Sequence, residues 1–223
     1  DLYWRADSRS TPRGVKAILI LVFLNLTFIK RLNDKDFYIS PLSDLIQKYQ
    51  AGKQVDHILF TYHGLPKSHI ENLFEDGHCF EDGNCFDKDK AVERHGSTER
   101  QKEHLDKCYR SQCHITTELV AKKMNLEPGA YSTSFQSRLG REEWLLPETE
   151  STIASLVKSG VKNLQIVSPS FVADCLETLE ELNIRAREVF IQEGGEEFIF
   201  TPCLNDTDEW SKELSEFVCQ HTV

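Results

Sequence analysis

The sequence has no long apolar run, no surplus of basic residues and no glycine-rich nucleotide turn. Each lack excludes a class of function. The longest apolar stretch, residues 17–29, has 13 residues, too few for a helix that must cross the hydrocarbon core of a bilayer. It follows a mixed-charge start and lacks a small-residue cleavage site, so it does not read as a cleavable signal. The cytoplasm is the expected compartment. A net charge of −10 leaves no basic face to match phosphate, which argues against a nucleic-acid partner. No GxGxxG follows any predicted strand, so a dinucleotide-dependent oxidoreductase is disfavoured. The 223 residues, 28% charged and 39% hydrophobic, have the make-up of one large or two small globular domains with ample material for a core. Seven cysteines in a reducing compartment suggest metal or cluster ligation more than disulfides.

What is present is organised around residues 55–66, VDHILFTYHGLP. Ile58, Leu59, Phe60 and Tyr62 make a nearly continuous apolar segment, the pattern of a strand buried on both faces of a parallel sheet. Gly64 and Pro66 then stop it, because proline removes a ladder donor and glycine tolerates unusual dihedrals. His63 is thereby delivered to the carboxyl end of a central strand, where ligands bind in open α/β sheets. The plainer alternative is a histidine that only caps a loop.

Alternating helix and strand patterns surround this segment. Residues 36–50 read as a helix with Leu42, Leu45, Ile46 and Tyr49 on one face, and residues 110–126 as another. A strand is expected over 130–136, a loop over 137–147, a helix over 148–159 and a strand over 164–167. A helix over 171–183 follows, then a strand at 189–191 or at 198–200, and a closing helix over 208–220. Helices and strands alternating at these lengths predict a parallel sheet covered on both faces, an α/β fold. Residues 1–36 are treated as a remnant or irregular amino-terminal segment, and 37–223 as the folded domain.

Residues 75–113 read as an insertion within it. From Glu75 to Lys107 large apolar side chains are sparse, too few to offset the entropy of ordering. Cys79 and Cys85 stand at one end, with five residues between them, and Cys108 and Cys113 at the other, with four. Four thiolates around a metal would close the loop and supply folding free energy. The spacings are looser than CxxC pairs and suit an iron–sulfur cluster or a structural zinc. His78, His95 and His104 are further donors, and four unrelated thiols are the alternative.

The second stretch with chemistry is SPSFVADCLETLEELNI, beginning at Ser168. On a helix over 171–183, Val172, Cys175 or Leu176, Leu179 and Leu182 would form a buried stripe. Asp174, Glu177 and Glu181 would line another face. Such a stripe is often only solvated, and Asp-x-x-Glu also suits a capping box. Here it begins just past a strand, as His63 does, so both groups are expected at one cleft. A histidine facing carboxylates can accept protons and attract a divalent cation.

TYHGLP, QSRLGREEWLLP, SPSFVADCLETLEEL and GGEEFIFTPCLND, in this order and spacing, resemble the ferrochelatases, which insert ferrous iron into a porphyrin in haem synthesis. The resemblance covers roughly residues 37 to 220. It implies a Rossmann-like chelatase fold of two halves with the porphyrin between them, of which this chain carries largely the carboxyl-terminal half. By resemblance, His63 matches the histidine of the S/T-Y-H-G-x-P motif, and Glu177 its partner carboxylate in E-T-L-x-E-L. These two would also meet the ferrous ion. Asp174 and Glu181 match the acidic path beside them, and Ser137, Arg138 and Trp144 the loop bordering the porphyrin. Cys175 stands where some members have histidine and is given no role.

Two departures accompany the match. The glycine-proline start and porphyrin-contacting loops of the amino-terminal half have no counterpart in residues 1–36. The cysteine segment resembles bacterial members that carry a [2Fe–2S] cluster on four internal cysteines, which implies Cys79, Cys85, Cys108 and Cys113 as ligands. Cys203 and Cys219 are expected to be buried, small apolar residues. The implied partners are a porphyrin, with protoporphyrin and coproporphyrin both open, and ferrous iron, with peripheral membrane contact allowed for. A cobalt or nickel chelatase, or an iron–sulfur or zinc module on an inert scaffold, are the rival readings.

Overall fold

The computed structural model describes residues 31–73 and 107–221. Among them four parallel strands form one sheet: β1 (His57–His63), β2 (Tyr131–Gln136), β3 (Asn163–Val167) and β4 (Glu197–Phe200), in the spatial order β2-β1-β3-β4. The helices are α1 (Asp36–Gln50), α2 (Lys67–Glu71), α3 (Tyr109–Lys123), α4 (Thr149–Lys158), a π-helix (Glu177–Ala186) continuing into α5 (Arg187–Gln192), and α6 (Asp208–His221). The fold is α/β, as the alternating pattern predicts.

β1 is central, and its burial explains its sequence. Ile58, Phe60 and Tyr62 point into a core shared with Ile46 of α1, Val120 of α3 and Trp210 of α6. Leu59 points the opposite way, among Ile153 of α4, Leu182 of the π-helix and Phe190 of α5. Because alternate residues enter different cores, no position on this strand can be polar for solvent's sake. The helix following β1 covers one face, whereas those following β2 and β3 cover the other. The connections leaving the sheet therefore diverge on either side of β1, which opens a crevice beyond His63.

Most expected elements fall within a few residues of their predicted bounds, and four readings need correction. The helix expected over 171–183 begins only at Glu177 and runs to Gln192. The segment before it spends its hydrogen bonds elsewhere: Asn205 N–H donates to Val172 O at 2.8 Å and Asp174 N–H to Asn205 Oδ1 at 2.8 Å. The stripe of Val172, Cys175 or Leu176, Leu179 and Leu182 is not a buried one. Leu182 is buried, but Val172, Leu176 and Leu179 are exposed, Cys175 is half-buried, and Thr178 and Ala186 take the inward positions. Tyr49 does not share the packed face of α1 with Leu42, Leu45 and Ile46 but is exposed in its last turn. Cys203 is buried as expected, but Cys219 is exposed on the outer face of α6.

Of the two strand alternatives, 198–200 lies in β4, and 189–191 is helical in α5. Residues 31–34, assigned to the irregular start, dock on α3. Asn33 Nδ2 donates to Gln112 O at 3.3 Å, and Thr116 Oγ1 donates to Asn33 O at 3.0 Å. Residues 1–30 and 74–106 lie outside the described residues.

A buried histidine makes this fold sensitive to acid. His57, at the start of β1, pairs with Ser132 Oγ at 2.8 Å. Burial holds its imidazole below the ordinary value of 6.5. The unfolded chain therefore binds a proton near pH 6.5 that the folded chain refuses until lower pH. This contribution to stability is intact above that pH and is lost as the pH falls below it. Thermal unfolding at pH 5.5 should occur at lower temperature than at pH 7.5, and His57→Asn should narrow the gap. An unchanged gap would assign the acid sensitivity to other groups.

Candidate active site

The pairing register places His63 opposite Gln136 at the ends of β1 and β2. Its Nδ1 lies 2.6 Å from Gly64 O. A carbonyl only accepts, so the proton belongs on Nδ1, and a neutral ring keeps the Nε2 lone pair free. The imidazole sits between two tilted rings, Trp144 at 6.4 Å and Phe171 at 6.3 Å between centroids. That leaves a base flanked by two aromatic rings, with a free acceptor atom.

Glu177, the first residue of the π-helix, is joined to the same strand ends. Gln136 Nε2 donates to Glu177 O at 3.1 Å, and Thr61 Oγ1 donates to Gln136 Oε1 at 2.9 Å. Its carboxylate is held below the usual range, first by the hydrogen bond from the Cys175 thiol, then by its own backbone N–H, with His63 adding a smaller electrostatic attraction. Glu177 is thus an anion within electrostatic reach of the imidazole. Nothing in this arrangement requires the two to be in direct hydrogen-bond contact.

The other carboxylates are already engaged. Both oxygens of Glu181 accept from Ser137, one from its N–H at 2.7 Å and one from its hydroxyl at 2.6 Å. Ser137 has φ of 65°, a left-handed conformation uncommon for a side-chain-bearing residue, and the Glu181 clamp holds it there. Asp174 lies in the loop before the π-helix. Burial pushes its pKa up, but donors from Asn205, Cys203 and Thr178 outweigh this and hold it low. Ser137→Ala, which removes one of the two donors to Glu181, should cost about 1 kcal/mol in chemical denaturation. No loss would mean water replaces the hydroxyl without penalty.

Residues 137–147 are strapped to the strand end. Lys67 N–H donates to Glu143 O at 2.8 Å, Leu145 N–H donates to Leu65 O at 2.9 Å, and Pro66 bridges Trp144. This places Trp144 beside His63, whereas Arg138 is exposed on the loop. A Cβ on Gly64 would lie 2.8 Å from Gln136 O and 3.1 Å from the Trp144 ring, so only glycine lets strand, loop and ring meet. Sequence reasoning singled out neither Gln136, Phe171 nor Tyr109. Their signal is position, in or beside segments that converge on His63, and none carries a recognisable chemical motif.

Cys108 and Cys113 are buried at the start of α3, close enough to interact electrostatically. Cys79 and Cys85 lie outside the described residues. Among the described residues no group of three or more His, Cys, Asp or Glu side chains is arranged to hold a metal ion.

A sequence model of the family described as Ferrochelatase matches residues 16–222. The chain is 41% identical over 193 residues to the ferrochelatase of Pseudomonas aeruginosa strain LESB58, covering 86% of this chain and 53% of that protein. It is 43% identical over 161 residues to that of Pseudomonas putida strain F1, covering 72% and 45% respectively. For Bdellovibrio bacteriovorus the figures are 37% over 195 residues, 83% and 51%. The chain spans about half the length of the curated relatives it matches. The matched region contains β1 with His63, the Trp144 loop and the π-helix with Glu177. The chain belongs to the ferrochelatase family.

Proposed function

We propose that the protein carrying this chain inserts ferrous iron into a porphyrin, with His63 accepting pyrrole protons and Glu177 as its partner carboxylate. The observation that carries this reading is the imidazole itself. It stands at the crevice end of the central strand, its Nδ1 held by Gly64 O and its Nε2 left as acceptor. Metallation must remove two pyrrole protons and bring a divalent cation to the vacated nitrogens. A neutral imidazole is suited to the first task near neutral pH. Glu177 stabilises the imidazolium that results and draws the cation. Glu181 and Asp174 extend the negative potential away from the site while fixing the Ser137 and Asn205 loops. Trp144, Ser137 and Arg138 border the ring on one side, where contacts to its rim hold it puckered so that the nitrogen lone pairs are presented.

The relatives reported above carry the name ferrochelatase, which disfavours a cobalt or nickel chelatase. The reading also sets the protein in the cytoplasm with peripheral membrane contact, for which the exposed Leu139 and Leu146 on the porphyrin-bordering loop are the support. The deciding experiment is a metallation assay with ferrous or zinc ion and protoporphyrin or coproporphyrin. Insertion into one of them supports the reading, and no insertion by the protein carrying this sequence overturns it.

We further propose that Cys79, Cys85, Cys108 and Cys113 hold a [2Fe–2S] cluster. The support is that Cys108 and Cys113 are buried neighbours, and that burial drives the Cys113 thiol well above its ordinary pKa. Thiolates there need a bound cation to persist, which suits a metal group. Bound, the cluster would tie residues 79–85 to the start of α3. The purified protein should contain two irons and two acid-labile sulfides per chain, and should absorb between roughly 300 and 600 nm. Cys113→Ser should remove both signals. Stoichiometric zinc without colour would replace the cluster with a structural metal site.

A further inference from the structure

We propose that Tyr109 and Ser170 are positioning residues that hold the backbone of His63, in place of the sheet partner it lacks. This rests on the role of His63 proposed above. In a parallel sheet successive residues direct their backbone polar groups alternately to the two neighbouring strands. Gly64 N–H donates to Gln136 O on the β2 side at 2.7 Å, so the N–H and C=O of His63 face the β3 side. The pairing of β3 with β1 ends at Phe60 opposite Val167, and Ser168 turns the chain away, with Phe171 N–H donating to Ser168 O at 3.2 Å. Among the described residues no strand reaches His63 there.

Two side chains stand in for that strand. His63 N–H donates to Ser170 Oγ at 3.3 Å, and Tyr109 Oη donates to His63 O at 2.9 Å. Tyr109 and Ser170 also interact through their hydroxyls. One hydroxyl comes from the loop after β3 and the other from the first residue of α3. The clamp therefore ties His63 to both elements that flank the crevice. A cavity of about 220 Å³, lined by Tyr62, Tyr109, Cys113 and Ser170 among others, opens beside it. Among the described residues no side chain fills that space to take over the restraint.

The cavity sets the signature of the proposal. Water can enter and satisfy the His63 carbonyl when the hydroxyl is lost, so folding suffers little. A mobile water does not fix the imidazole, and small displacements of a reacting group are costly in rate. Tyr109→Phe should lower kcat for zinc insertion about tenfold with KM for the porphyrin unchanged. The thermal midpoint should fall by less than about 4 °C. Ser170→Ala should act in the same direction, and Ser170→Thr, which keeps a hydroxyl, should restore the rate. A lowered thermal midpoint with unchanged kcat would make Tyr109 merely structural and overturn the proposal. If Tyr109→Phe does not fold, the Ser170 pair decides: equal rates for alanine and threonine overturn it. His63→Ala, assayed alongside, separates the two levels. If it is inactive while Tyr109→Phe and Ser170→Ala are fully active, only the clamp fails. If it retains its rate, the role of His63 fails and the clamp has nothing to position.

Discussion

Replacing His63 with alanine should lower metal insertion by about 10²- to 10⁴-fold, the range removed when a positioned acid–base group is lost, while leaving the fold intact. The substitution removes a ring that is only partly buried, lying tilted between Trp144 and Phe171. The strand beneath it is secured by Tyr62 and the pairing with β2. Circular dichroism and the unfolding midpoint should therefore stay close to those of the unaltered protein. Glu177→Gln, which keeps size but discards the charge, should have a smaller effect, because it acts on the imidazolium and cation across space. Fluorescent zinc-porphyrin formation measures both variants. Unreduced insertion by His63→Ala would remove the base from the scheme. The effect should not depend on whether protoporphyrin or coproporphyrin is offered, since proton removal is common to both.

Gly64→Ala should be nearly as damaging to the reaction without touching a reacting atom. The added methyl would meet the Gln136 carbonyl at 2.8 Å and the Trp144 ring at 3.1 Å. The first contact is with backbone, inside the ladder that holds β1 to β2, and cannot be relieved by a rotamer change. Either the strand end or the Trp144 loop must move, and His63 lies between them. A shift approaching 1 Å at such a site costs about 100-fold in rate, and overpacking should lower stability by about 1–3 kcal/mol. Zinc insertion and urea unfolding measured together test this. Full activity together with full stability would show that loop and strand separate freely, against the packing described above.

The parts of the fold legible in the sequence are those where one physical requirement dominates. β1 is readable because both its faces are buried, so Ile58, Leu59, Phe60 and Tyr62 must all be apolar. Helix α1 is readable because only one face packs, and Leu42, Leu45 and Ile46 recur at helical spacing. The start of the π-helix is not readable in the same way. Residues 171–176 have a helical pattern, but donors and acceptors of the Asn205 loop, more than 30 residues further on, take their backbone groups. Local propensity cannot register a competitor that distant. For the same reason Val172 and Leu179 look like core residues and are exposed.

The candidate site divides along the same line. Residue identity and order alone determined that the chain is α/β, that His63 ends a central strand, and that a carboxylate-bearing segment follows another strand. These are consequences of hydrophobic periodicity and of where glycine and proline interrupt it. Only the tertiary structure decided which nitrogen of His63 is free, that Glu181 is held by Ser137, and that Asp174 serves the Asn205 loop. It alone decided that Tyr109 and Ser170 replace a missing strand. The reason is that hydrogen bonds join partners far apart in the chain once packing has brought them together. No spacing rule along the sequence encodes such a meeting.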